Sequence, residues 1–322
     1  MRNKEVYYEY VKEHQDICIY NQPWWLDAVC GENNWDVVIS YDKQGGVQGV
    51  LTYYFKKKYG IKYITRPPLT QHNGVLLNIP KGCKYQKKLA YEKAIMTDLI
   101  EQIEKLNFAC YIQAQSPDIT NWLPFYWKGY SQSTSYTYRI KETREGDYQK
   151  IFDSFSSHVR RNINQAKAFA LIEESDDIEL FRTMQSKTFA RQGMNQLYSI
   201  DLLSRLNDAC RSHNAKTMLV ARDEENNVHC ASYFVYDNNW VYQLMSGTDP
   251  AFRKSEFKTL CVERAIQFAC DTKRGFDFEG SMLPGVEEYI RTFNAIQVPY
   301  FHLSKIYTKN PLIRYAIKKK SS

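Results

Sequence analysis

The sequence predicts an α/β (α+β) protein made of two copies of one unit in tandem, each a mixed, mostly antiparallel sheet flanked by helices. Three observations lead there. Over 322 residues, 43% are apolar and 25% charged, enough to bury one large core or two ordinary ones and too apolar for a mainly disordered chain. Strand-like runs come in threes, separated by turn residues, and each triplet is followed by an amphipathic helical stretch. The order of helix, three-strand meander, helix, strand, short helix and strand then recurs about 165 residues later.

In the first copy, Pro23-Trp24-Trp25 opens a short helix within Tyr20 to Cys30. The meander follows as Trp35 to Tyr41, Val47 to Phe55 and Ile61 to Thr65, with turns at Lys43-Gln44-Gly45-Gly46 and Tyr59-Gly60. Tyr85 to Leu106 reads as a helix on the stripe Leu89, Ile95 or Met96, Leu99 and Ile103. Phe108 to Gln113 is a strand, Pro117 to Pro124 a short helix and Gln132 to Ile140 a strand.

Charged, turn-prone Lys141 to Asp147 separates the halves, giving expected domains 1–143 and 144–322. Helices at Ser157 to Ala170, Asp177 to Ala190 and Ile200 to Ser212 open the second copy. Its meander is Lys216 to Arg222, Val228 to Tyr236 and Trp240 to Ser246. A helix at Ser255 to Cys270, a strand at Gly275 to Glu279, a helix at Pro284 to Phe293 and a strand at Ile296 to Lys305 complete it. The Arg314 to Lys320 cluster reads as a frayed, solubilising tail.

Composition excludes several classes. No apolar run nears the roughly 18 to 20 residues of a bilayer span, and charges near the N-terminus stand where a secretory signal carries its apolar stretch, so a cytoplasmic location is expected. The eight cysteines include no Cys-x-x-Cys, and the six histidines show no ligand spacing, so no metal is expected. A net charge of +7 is modest for a nucleic-acid binder.

Four stretches carry a family resemblance: Arg160 to Lys167, Phe189-Ala190-Arg191-Gln192-Gly193, the Gly247 to Leu260 junction, and Asp277-Phe278-Glu279-Gly280-Ser281-Met282 with Arg291 to Ala295. With the element order, they resemble the FemABX-like branch of the GNAT acyltransferase superfamily, in the manner of tandem GNAT proteins with a BioF2-like acetyltransferase domain. The resemblance spans most of the chain as architecture and about a quarter as motif. It implies a bacterial-type enzyme that transfers an acyl or aminoacyl group to an amine where parallel strands of the second copy splay apart, with the acceptor received in the cleft between the halves. The co-substrate implied is acyl-CoA or aminoacyl-tRNA, with no tightly bound cofactor. The implied acceptor is a small molecule or a cell-envelope precursor, and tRNA is a possible partner. Most GNAT enzymes cradle the donor pyrophosphate in a glycine turn, whereas Asp249 to Ser255 contains no glycine, a departure it shares with FemABX enzymes.

Specific residues follow. Ser255 is expected to N-cap the helix after this turn, beside Arg253 and Lys254, forming a donor phosphate site or merely a capped, solvated helix end. Arg160, Asn164 and Lys167 fall on one helical face, where Arg160 and Lys167 would hold an anionic acceptor. By the resemblance, Arg191 faces the acceptor, with Gln192 beside it. Alternation puts Asp277 and Glu279 on one strand face. At the carboxyl end of a parallel strand, Glu279 is the candidate general base, or else a structural partner of Arg291. Tyr242 and Lys305 are candidate catalytic groups for the leaving group and the developing charge, and Tyr300 a candidate acceptor contact. Two rivals remain: an aminoacyl-tRNA-dependent peptidyl transfer onto a peptidoglycan precursor, and a degenerate GNAT pair that only binds.

Overall fold

The computed structural model of the chain describes residues 2–80, 82–191, 193–194, 198–280 and 282–321. Two compact units emerge, Met1–Ser135 with Pro299–Ser322, and Tyr136–Val298. These differ from the halves 1–143 and 144–322 because two strands, one near residue 135 and the last of the chain, each contribute residues to both units.

The first unit opens with α1 (Asn3–Glu13), a 3-10 turn (Ile19–Asn21) and α2 (Pro23–Cys30). Then come β1 (Trp35–Tyr41), β2 (Val47–Lys58), β3 (Ile61–Thr65), β4 (Val75–Leu77), α3 (Tyr85–Glu104), β5 (Cys110–Ala114), α4 (Leu123–Trp127) and the start of β6 (Ser131–Ile140). β2 pairs antiparallel with β1 and β3, as the turn residues foretold, and also with β4, which the sequence reading did not anticipate. α3 buries Ile95, Met96, Leu99, Ile100 and Ile103 against Val38, Leu51 and Tyr53. Contact is so close that a Cβ on Gly49 would lie 2.1 Å from Ile95, so only glycine lets α3 seat there. Leu89, expected on this stripe, is instead exposed, and the short helix lies at Leu123–Trp127 rather than 117–124, since Pro124 is accepted in its first turn.

The second unit continues with α5 (Tyr148–Ser154), α6 (Ser157–Ala166), β7 (Leu171–Glu174), α7 (Ile178–Arg191), α8 (Ile200–Ser212), β8 (Lys216–Arg222), β9 (Val228–Tyr236) and β10 (Trp240–Thr248). A 3-10 turn (Pro250–Ser255), α9 (Phe257–Asp271), β11 (Gly275–Asp277), α10 (Pro284–Arg291) and β12 (Ile296–Ile306) follow; α11 (Pro311–Ser321) belongs to the first unit. The sheet runs β6-β11-β10-β9-β8-β7, with β10 and β11 parallel and the other neighbours antiparallel. On one face Leu260, Cys261, Ala265 and Ile266 of α9 pack over Phe234 and Val241. On the other, Phe181 of α7 meets Tyr233 edge-on at 5.7 Å. Adjacent Tyr233 and Phe234 thus anchor opposite layers, as strand alternation requires.

Candidate functional site

The second unit's parallel strands stay joined over three pairs only: Trp240↔Gly275, Val241↔Phe276 and Tyr242↔Asp277. Gly275 is needed because the Trp240 ring covers it, and a Cβ there would stand 2.4 Å from that ring. Beyond Tyr242 the strands part. β10 runs on to Thr248 with a bulge that leaves Leu244 without a β9 partner, and its Gln243 to Ser246 are half-buried. Ligands of open α/β sheets collect at such carboxyl ends.

β11 is turned aside by a buried polar knot. Arg139 Nε donates to Asp277 Oδ2 at 2.7 Å, Thr137 Oγ1 donates to Asp277 Oδ1, and the Glu279 N–H donates to the same oxygen at 2.8 Å. Glu279 and Gly280 both adopt left-handed backbone, φ 58° and 64°. A Cβ on Gly280 would lie 2.0 Å from the Tyr136 carbonyl oxygen, so the chain can make this turn only with glycine. The expected shared face of Asp277 and Glu279 is therefore wrong, because the left-handed pair breaks the alternation; Asp277 is a structural anchor and Glu279 stands beyond the strand. Glu279 Oε1 is sealed from solvent, and burial pushes its carboxyl well above the usual carboxylate range. Arg291 forms its ion pairs with Glu287 and Glu288 instead.

α7 lies flat on β10. A Cβ on Gly247 would meet Gln185 N at 2.3 Å, while Thr188 Oγ1 accepts from Thr248 N at 2.8 Å and Gln185 Nε2 donates to Met245 Sδ at 3.4 Å. At the start of α9 the N-cap is Glu256, left-handed at φ 59°, and not the expected Ser255, whose hydroxyl accepts from Phe257 N at 3.5 Å. Ser255 instead ends the 3-10 turn, which Asp249 caps through Ala251 N at 2.9 Å. His229 stacks between Phe252 and Phe257, with ring centroids 4.0 and 4.3 Å away, and meets Asp223 at 3.0 Å, pinning this glycine-free turn to β9. Arg253 and Lys254 are exposed on it.

Sequence reasoning missed Lys258. Its ammonium sits 5.0 Å from the centre of the Tyr289 ring, and burial, reinforced by the Arg191 charge, pushes it below the ordinary lysine range. Tyr289 donates to Thr259 Oγ1 at 3.4 Å, and Thr259 donates to Glu256 at 2.8 Å. Only a basic residue just inside a helix start signalled it, because its burial depends on α10, thirty residues away in sequence.

The remaining candidates scatter. Tyr242 is buried, and its phenol donates to Asp237 Oδ2 at 3.0 Å, toward the amino end of β10 and away from the splay. Arg160 faces Asp153 at 3.7 Å and lines a groove with Phe152 and Asn164. Lys167 bonds the buried Glu263 at 2.9 Å and borders a different cleft of about 450 Å³, so the expected clamp of one face is divided. Arg191 is the exposed last residue of α7, before left-handed Gly193, and Gln192 lies outside the described residues, as does Ser281. Lys305 and Tyr300 belong to the first unit. There Lys305 donates to Glu104 at 2.6 Å and to the Lys128 carbonyl, and the Tyr300 ring lies 5.2 Å from that of His302. Among the described residues, no group of three His, Cys, Asp or Glu side chains could hold a metal ion.

In the first unit the segment between β3 and β4 lies against the end of β5. Asn73 bridges to Gln115, Gln113 Nε2 donates to the Thr52 carbonyl at 2.7 Å and to Asn73 Oδ1 at 2.8 Å, and Val75 N donates to Gln115 Oε1 at 3.0 Å.

Residues 153–291 match the family described as Acetyltransferase (GNAT) domain. No curated protein matches the chain by sequence. Among solved structures, the chain is similar to FemX, with a TM-score of 0.70, 11% identity, and 97% of this chain and 98% of that one covered. It is also similar to L-PGS from Bacillus licheniformis, with a TM-score of 0.57, 9% identity and coverage of 99% and 97%. A tandem GNAT protein from the clavulanic acid biosynthesis pathway gives a TM-score of 0.51, 8% identity and coverage of 89% and 95%.

Proposed function

We propose that this chain, which has the FemABX-like GNAT acyltransferase fold, transfers an acyl group in the cytoplasm from a thioester donor of the acyl-CoA type to an amine on a small-molecule or cell-envelope-precursor acceptor. The observation that carries the reading is Glu279, a carboxyl raised in pKa by burial and standing just past the point where β10 and β11 part. An amine must shed a proton to attack. A carboxylate with a raised pKa takes that proton more readily than an ordinary one. The nitrogen then bonds to the carbonyl carbon, the carbon–sulfur bond breaks and the thiolate leaves with a proton. Backbone N–H groups along the freed edge of β10, from Gln243 onward, are suited to the oxyanion formed in between. Lys258, with Arg191, supplies positive charge for the donor's phosphates in place of the absent glycine turn.

That glycine-free turn also favours a second donor, aminoacyl-tRNA, whose ester would occupy the same splay. A thermal-shift screen against acetyl-CoA, longer acyl-CoAs and charged tRNA separates the two, because a ligand that binds only the native state raises its apparent stability. Stabilisation by none of them would oppose both readings and favour a binding module without turnover.

A further inference from the structure

We propose that the face of the first unit formed by the β2–β3 hairpin and α11 docks on the surface of an anionic lipid bilayer. The hairpin tip carries Lys56, Lys57 and Lys58, then left-handed Tyr59 and Gly60, then Lys62 on the returning strand. Lys57 and Lys62 stand directly opposite each other across the ladder. Like charges in that position destabilise a hairpin, a cost that folding of the unit does not require. Tyr59 projects from the tip, 90% exposed.

α11 adjoins this tip. Its Ile313 shares a depression of about 520 Å³ with Lys57, Gly60, Ile61 and Lys62, so the two elements present one continuous surface. Helical spacing puts half-buried Ile313 and Ile317 on the inner side. Leu312, Tyr315 and Lys319, at i, i+3 and i+7, face outward, all exposed. Arg314 is exposed beside them. None of Lys56, Lys57, Lys58, Lys62, Arg314 or Lys319 takes part in an ion pair among the described residues, and Glu104, the carboxylate lining the depression, is already held by Lys305 at 2.6 Å. Cations with no carboxylate partner among the described residues, Lys58 lying 5.2 Å from the Tyr59 ring centre, surround protruding Tyr59, Leu312 and Tyr315 and complement a bilayer interface, where phosphates meet the charges and the acyl boundary receives the apolar tips. RNA would use the charges but leave Leu312 without a counterpart, so the lipid surface is the better match. No helix among the described residues is long and apolar enough to cross a membrane, and docking of this kind requires none.

Flotation of the full chain with phosphatidylcholine vesicles, with and without phosphatidylglycerol, tests this without any substrate, so its outcome is independent of the acyl-transfer reading. Binding is expected only with phosphatidylglycerol, weakening as salt is added. Lys57→Glu with Lys62→Glu should reduce it at least about tenfold, and Tyr59→Ala with Tyr315→Ala should reduce it at unchanged charge. Lys43→Glu, in the exposed β1–β2 turn, should leave it intact, and unchanged circular dichroism spectra would show that the variants fold. Equal or absent binding to both vesicles, full binding by the Lys57/Lys62 variant, or capture of a homopolymeric RNA in place of vesicles would overturn the proposal.

Discussion

Tyr242 of β10 stands directly opposite Asp277 of β11, and theirs is the last pair at which the two parallel strands are joined. The parting is built rather than incidental. Asp277 is fully buried and spends both carboxylate oxygens on Arg139, Thr137 and the Glu279 N–H, so β11 is bound to β6 where it leaves β10.

Asp277→Asn keeps the shape of this knot and removes its charge, breaking the buried ion pair with Arg139. Breaking such a pair costs about 3 to 5 kcal/mol. Urea denaturation should show a loss of that order, and an unchanged midpoint would mean that Asp277 is not the anchor described.

Gly280→Ala must force a left-handed alanine against the Tyr136 carbonyl. The backbone alone costs about 1 to 2 kcal/mol, and the overlap adds about 1 to 3 kcal/mol more. Gly285→Ala is the contrast, since nothing lies within 4 Å of its Cβ and it sits in the first turns of α10. That variant should be neutral or stabilised by up to about 1 kcal/mol. Thermal unfolding of the two measures the difference, and equal midpoints would contradict it.

Much of the architecture was legible. Lys216 to Arg222 and Val228 to Tyr236 emerged with their observed bounds because Asp223 to Asn227 is an unmistakable turn and each run is apolar enough to be central. α1 and α11 were not, because the charges of the first were weighed only against a secretory signal and the basic cluster of the second only as a tail. Strand β7 is mostly exposed, and α5 is a seven-residue helix directly after the charged linker, capped by the linker's last residue, Asp147. Glu279 was expected as the last residue of its strand, but β11 ends at Asp277 and the alternation does not reach it, because left-handed glutamate has no sequence signature. Ser255 lost the cap for the same reason, with Glu256 left-handed behind it. Lys305, expected with Tyr242 and Tyr300 along the cleft, lies on the stretch of β12 that belongs to the first unit.

Lys258→Met removes the half-buried ammonium beside Tyr289 while keeping its apolar stem. Stabilisation of the protein by inorganic pyrophosphate should fall, and the donor KM should rise about tenfold or more with kcat largely kept, as expected when a charge-assisted contact to bound substrate is lost. Unaltered pyrophosphate binding would remove Lys258 from the donor site.

The pH profile and turnover of Glu279→Gln test the central claim most directly. With the wild-type carboxyl raised by burial, kcat/KM should climb with pH along a limb centred above the ordinary glutamate value of about 4.3. The same shift has a stability sign: the buried carboxyl is tolerated while protonated and becomes costly as pH rises from the unfolded value through the folded one. Glu279→Gln should therefore equal wild type in stability at acid pH and exceed it at neutral pH. It should also bind the donor normally and lose turnover by at least about a hundredfold. Turnover that survives in Glu279→Gln, with the acid limb still in place, would contradict proton removal by this residue at the end of β11.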